Sequence, residues 1–242
     1  MSGHSKWSTI KRAKGAADAR RSNIFTKLGR AISIAVKEGG GITDPSMNFK
    51  LRLAVDKAKA ANMPKSTIQR AIDNGAGKSG GNQIETIIYE GYAPDGIAVM
   101  VETVTDNKQR TVSDVRNIFN RSGGTLGQSG SVSFMFHQVG QIEIDPQNGD
   151  IDELTLQIME VEGVLDIETA PDLITIYTEA KLLMHIKESL QDIAPVKSTE
   201  LIMKPTDPTV LEESKVEQLL NFIDKLEDND DIQRVFVSAI VE

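Results

Sequence analysis

The sequence predicts an α+β protein of several domains. An all-helical, basic N-terminal domain is followed by two α+β domains, one of them ferredoxin-like. Three observations predict this. The hydrophobic period is helical between residues 22 and 75 and shifts to two-residue alternation, interrupted by helical stretches, beyond residue 84. The order of elements over residues 139–204 reads βαββαβ. The formal charge also separates along the chain: residues 1–80 carry 16 Lys and Arg against 5 acids (+11), residues 81–140 sum to −2, and residues 141–242 carry 7 cations against 24 acids (−17). The chain as a whole is at −8.

The first twenty residues hold Trp7, the only tryptophan, and Ile10, but no apolar stripe. Lys6, Lys11, Arg12, Lys14, Arg20 and Arg21 scatter around a helical wheel, so this arm is expected to be marginal alone and ordered by what it binds. A helix is expected from an N-cap at Ser22, with Ile24, Phe25, Leu28, Ala31, Ile32, Ala35 and Val36 on one side and Lys27, Arg30 and Lys37 on the other. Gly39-Gly40-Gly41 ends it. Asp44-Pro45 is read as the cap and first residue of a second helix. That helix has two apolar faces, Phe49/Leu53/Ala60 and Leu51/Val55/Ala58, and is expected to be sandwiched. A third helix starts at Pro64 and stops at Gly75. No helix-turn-helix spacing is read from this region.

Residues 74–82 read as a linker. Strands follow over "IETIIYEGY" and "IAVMVETVTD", then a helix from Asn107 to Ser122, a glycine-rich loop "GGTLGQSGS" and a strand "SVSFMF". The βαββαβ unit comes next. A last amphipathic helix and the strand "IQRVFVSAIV" have no local sheet, so they are assigned to the sheet of residues 83–136. The expected domains are therefore 1–80, then 81–138 joined with 205–242, with 139–204 inserted.

No run approaches the ~18 apolar residues of a membrane span, and the N-terminus lacks the apolar core of a secretory signal. The expectation is a cytoplasmic protein with no membrane partner. With no cysteine, a thiolate nucleophile or thiolate metal site is excluded. His4, His137 and His185 share no ligand spacing, so no metal and no cofactor are expected. "GAGKS" (residues 75–79) resembles a phosphate loop, but position 72 is Ile where a glycine is required, and a helix precedes it in place of a strand. No catalytic constellation emerges, and the protein is expected not to be an enzyme. One polar cluster stands out: Asp106, Asn107 and Arg110 at the start of the helix beyond the second strand. Free N–H groups and Arg110 there suit an anion, while the alternative is that Asp106 or Asn107 simply caps the helix.

The motifs "GHSKW..IK..K...DA.R...FTKL", "DKAKAANMP..TI.RAI" and "IIYEGYAP.G.A.MVE..TDN..RTV.DVR..F...GG.LG..GSV.F.F" resemble the YebC family from residue 2 to about 137, and in outline to the end. The resemblance implies three domains and a non-enzymatic regulator of gene expression, with bacterial members labelled as probable DNA-binding transcriptional regulators. It also implies an alternative, a factor that binds the ribosome and its RNA and relieves stalled peptide-bond formation. From the charge pattern, the nucleic-acid contact is assigned to Lys6, Trp7, Lys11, Arg12, Lys14, Arg20, Arg21, Lys27 and Arg30, with Asp106, Asn107 and Arg110 as a second surface. The acidic half points away from nucleic acid or meets a protein partner.

Overall fold

The computed structural model describes residues 20–78, 84–147 and 149–241. They form two compact units, residues 20–132 with 218–235, and residues 133–217 with 236–241.

The first unit begins with three helices, α1 (Arg20–Glu38), α2 (Phe49–Ala60) and α3 (Lys65–Gly75). Helix α1 is already running at Arg20, so Ser22 lies inside it and is not its cap. Its end follows the expected glycines: the Gly41 N–H reaches back to the Val36 carbonyl at 2.9 Å, with Gly40 and Gly41 at positive φ. Helix α2 starts later than Asp44-Pro45 implied. Asp44 instead closes a turn, accepting from the Ser46 amide and hydroxyl, both at 2.8 Å. Asn48 is the true cap, accepting from the Leu51 amide and donating to the Ala35 and Ile42 carbonyls, which ties the cap to α1.

Leu28, Ile32, Val36, Leu51, Val55, Ile68 and Ile72 are buried together between the three helices. Only one face of α2 is buried, because Phe49 and Leu53 are half-exposed and Ala60 is exposed. The end of α3 runs so close to α1 that a Cβ on Gly75 would sit 2.4 Å from the Ser33 carbonyl oxygen, so glycine is required there.

The same unit holds β1 (Glu85–Tyr92), β2 (Ala98–Thr105), α4 (Lys108–Arg121) and β3 (Thr125–Leu126). Strands β1 and β2 pair antiparallel over their full length. Strand β9 (Ile232–Val237) completes the sheet in the order β3-β1-β2-β9. Helix α7 (Glu213–Glu227) delivers it, and the Phe222 ring meets that of Phe119 on α4 edge to face, centroids 5.0 Å apart. The last strand is not continuous. After Ser238 it becomes β10 (Ala239–Val241), which pairs in parallel with β8 (Thr209–Leu211) in the second unit.

The expected strand over residues 131–136 is absent: residues 133–135 form a 3-10 turn and β4 starts at Phe136. The reason lies in Glu90. Its buried carboxylate accepts from the Gly130 and Val132 amides, each at 2.8 Å, while its carbonyl accepts from Gly127. A side chain takes the amides that a neighbouring strand would otherwise pair.

The second unit contains β4 (Phe136–Ile144), α5 (Ile151–Met159), β5 (Val164–Ala170), β6 (Leu173–Glu179), α6 (Leu183–Gln191) and β7 (Val196–Pro205). The strand order is β5-β6-β4-β7 and every pairing is antiparallel, which is the ferredoxin-like arrangement. Ile142, Ile144, Ile174 and Ile176 are fully buried on the face under α5 and α6. A Cβ on Gly140 of that face would lie 2.7 Å from Leu183 Cδ1. The fold is α+β, with a helical N-terminal region followed by two sheet-containing parts.

Candidate nucleic-acid interface

Lys6, Trp7, Lys11, Arg12 and Lys14 lie outside the described residues, as do the side chains of Arg20 and Arg21. Further along α1, Lys27 and Arg30 turn inward to the protein itself. Lys27 donates to the Glu227 carbonyl, and Arg30 donates to the Asp230 carbonyl and to Asp231 Oδ1, the last at 2.8 Å. These two cations fasten the helices to the end of α7 and the turn before β9.

Asp231 is the centre of that junction. It is 3% exposed and collects donors from three elements. Arg110 Nη2 approaches Oδ2 at 2.8 Å and Oδ1 at 3.0 Å; the hydroxyls of Thr111 and Thr105 reach Oδ2 at 2.7 and 3.2 Å. Its backbone carbonyl also accepts from the Val104 amide at 2.8 Å. Burial alone would raise the Asp231 pKa. Hydrogen bonds from Arg110 and Thr111 and the charges of Arg30 and Arg110 outweigh it and hold the carboxyl below its usual range.

The cluster around Asp106, Asn107 and Arg110 takes a definite form here. Asn107 is the N-cap of α4, accepting from the Arg110 amide at 3.1 Å. The Arg110 guanidinium also meets Asp106 at 3.0 Å. Its pKa is raised by its bonds to Asp231 and then Asp106. The carboxylates this guanidinium meets are the protein's own Asp231 and Asp106, and the Arg110 side chain is 45% exposed. Sequence reasoning missed Asp231, which stands in the run Asp228-Asn229-Asp230-Asp231 and reads as solvated acid.

The exposed cations of the helical region gather elsewhere. Lys57 and Lys59 near the end of α2, and Lys65 and Arg70 on α3, are exposed on either side of the connection 61–64. That connection has four residues, with Asn62 at φ 59°. Four residues is the length of a helix-turn-helix connection, a spacing the sequence reading did not register. On α3, Ser66 and Gln69 are exposed beside Lys65 and Arg70, opposite the buried Ile68, Ala71 and Ile72. Lysines supply phosphate contacts, and Gln and Arg are side chains that pair with base edges.

Elsewhere the chemistry is sparse. Among the described residues no group of three or more His, Asp or Glu is placed to hold a metal ion. His137 is exposed and meets the Thr206 hydroxyl at 3.3 Å, and His185 is exposed on α6. Lys78 of "GAGKS" lies 3.5 Å from Asp73 at the end of α3. No helix among the described residues is long and apolar enough to cross a membrane.

Two family models match the chain: the TACO1/YebC protein N-terminal domain over residues 5–78, and the TACO1/YebC second and third domain over residues 84–239. A protein of Latilactobacillus sakei named "Probable transcriptional regulatory protein" is 47% identical over 241 residues, covering 99% of this chain and 98% of its own. The "Probable transcriptional regulatory protein YrbC" of Bacillus subtilis is 46% identical, covering 98% and 99%. Among solved structures, a conserved hypothetical protein from Aquifex aeolicus superposes with a TM-score of 0.84 at 38% identity, covering 93% of this chain and 92% of that one.

Proposed function

The chain belongs to the TACO1/YebC family of regulatory proteins, and from that premise we propose that it is a non-enzymatic regulator of gene expression that binds nucleic acid through its basic N-terminal region. The observation that carries this reading is the charge division, +11 over residues 1–80 against −17 over residues 141–242. A cationic segment collects phosphate contacts and releases counterions, while a strongly acidic half is repelled from the same polyanion. The four exposed cations flanking the α2–α3 connection belong to the same basic region.

The target in this reading is duplex DNA in the cytoplasm, the choice that agrees with the relatives' names. The α2–α3 connection supports it, since a second helix with exposed Lys, Gln and Arg suits a major groove. Trp7 favours a second reading. An indole set among cations stacks on unpaired bases, which ribosomal RNA offers and duplex DNA does not, and a factor of translation would use it so.

Ultraviolet cross-linking in living cells, followed by sequencing of the DNA and RNA recovered with the protein, tests both. Enrichment of promoter DNA is expected on the first reading and of ribosomal RNA on the second. Recovery of neither above a charge-reversed control contradicts nucleic-acid binding altogether.

A further inference from the structure

The two helices over the ferredoxin-like sheet meet solvent differently. The fully solvated positions of α6 are polar, His185, Glu188 and Gln191. Helix α5 buries Ile158 and half-buries Ile151 and Leu154, yet its Leu156 and Met159 are each 66% exposed. Among the described residues no other helix presents a large apolar side chain that is more than half exposed. A single such residue is ordinary on a protein surface. These two stand three residues apart and therefore share one face of the helix.

Acids border the pair. Asp152 and Glu160 lie four residues before and after Leu156, and Glu153 lies three before it, so all three flank the apolar face. They are exposed, and among the described residues their carboxylates meet no cation. The surrounding sequence offers none either, since residues 122–180 hold 11 Asp and Glu and no Lys or Arg. Lysines of the same unit pair with other acids: Lys181 with Glu179, Lys197 with Asp145 and Lys204 with Asp166.

We infer that this face of α5 docks a basic amphipathic helix of another protein, which packs apolar side chains on Leu156 and Met159 and brings Lys or Arg to Asp152, Glu153 and Glu160. Apolar contact supplies the affinity, and the flanking charges select partner and orientation, as along the seam of paired helices. The same acids disfavour the other occupants. Phosphates of nucleic acid and of anionic lipid are repelled. A second copy meeting α5 with α5 would set carboxylate against carboxylate. The nine residues of α5 give about two and a half turns, so the contact is small and of the transient kind. Docking here is independent of the nucleic-acid binding proposed above.

Photo-cross-linking of the full chain in living cells tests this. A photoreactive phenylalanine analogue, itself apolar, is placed at Met159 and, as a control, at His185 on α6. Sequencing of the cross-linked peptides is expected to return, from position 159 and not from 185, a protein segment of net positive charge with apolar residues three or four apart. A synthetic peptide of that segment should bind wild type, by fluorescence anisotropy, at least about tenfold more tightly than Leu156→Ala/Met159→Ala. An Asp152→Asn/Glu153→Gln/Glu160→Gln variant should bind it more weakly than wild type and with a much shallower salt dependence. All five substituted side chains are exposed, and circular dichroism checks that the variants keep the fold. Cross-links from position 159 to nucleic acid, lipid or a second copy overturn the inference. So do segments without net positive charge, yields no greater than at position 185, or a peptide that either variant binds as wild type does.

Discussion

Removing the Asp231 carboxylate leaves Arg30 and Arg110 facing each other without the acceptor they share. Breaking a buried ion pair from one side is costly, and because the two arginine side chains are 25% and 45% exposed the low end of the range applies. Asp231→Ala is therefore expected to lose about 2–4 kcal/mol in urea denaturation. The linkage has a definite sign. The folded carboxyl has the lower pKa, so its stabilisation is complete above the unfolded value of about 3.9 and fades as pH falls through the folded value. Below about pH 4 wild type should lose stability more steeply than Asp231→Asn, and equal slopes would remove Asp231 from this role. Such a residue is not legible in sequence. Four polar residues in a row look alike by composition, and only the placement of β9 beside β2 sets the last of them under Arg30 and Arg110. Asn107 was legible, because an Asn before an amphipathic run has a local reason to cap it.

Elements were legible wherever local pattern decided them. Helices α1, α3 and α4 follow their apolar spacing, and the βαββαβ order leads directly to the antiparallel order β5-β6-β4-β7. The failures occurred where a distant side chain supplied the bonding. Asp44-Pro45 has every local mark of a helix start, yet Asn48 takes that place because it also bonds to α1. The residues before β4 alternate like a strand, yet Glu90 holds their amides. Glu90→Ala strips two amides of their acceptor in a site that is 5% exposed, at an expected cost of about 2–3 kcal/mol. Hydrogen exchange should accelerate at Gly130 and Val132 well before it does in β1. Unchanged protection of those two amides would show that the loop is held by something other than the carboxylate.

At the scale of the molecule, the chain keeps its cations at one end and its acids at the other, an arrangement that average composition conceals. The cations divide into two groups by what they do. Lys27 and Arg30 read in the sequence as nucleic-acid-binding residues because they lie on the charged side of α1, and in the structure they bind the protein's own carbonyls and Asp231. Lys57, Lys59, Lys65 and Arg70 carry no such signal in the sequence, and they surround an exposed connection between two helices. Sequence registers the sign and density of charge, whereas tertiary placement decides which charges are satisfied internally. That the N-terminal charge binds a polyanion is the central claim, and affinity for DNA and RNA measured across a salt series tests it most directly. Wild type should give a steep linear fall of log affinity with log salt. A Lys11→Glu/Lys14→Glu/Arg20→Glu/Arg21→Glu variant, folded by circular dichroism, should bind far more weakly, with a slope shallower by about 0.7–0.9 for each phosphate it no longer neutralises. Affinity and slope that match wild type in that variant would contradict the claim.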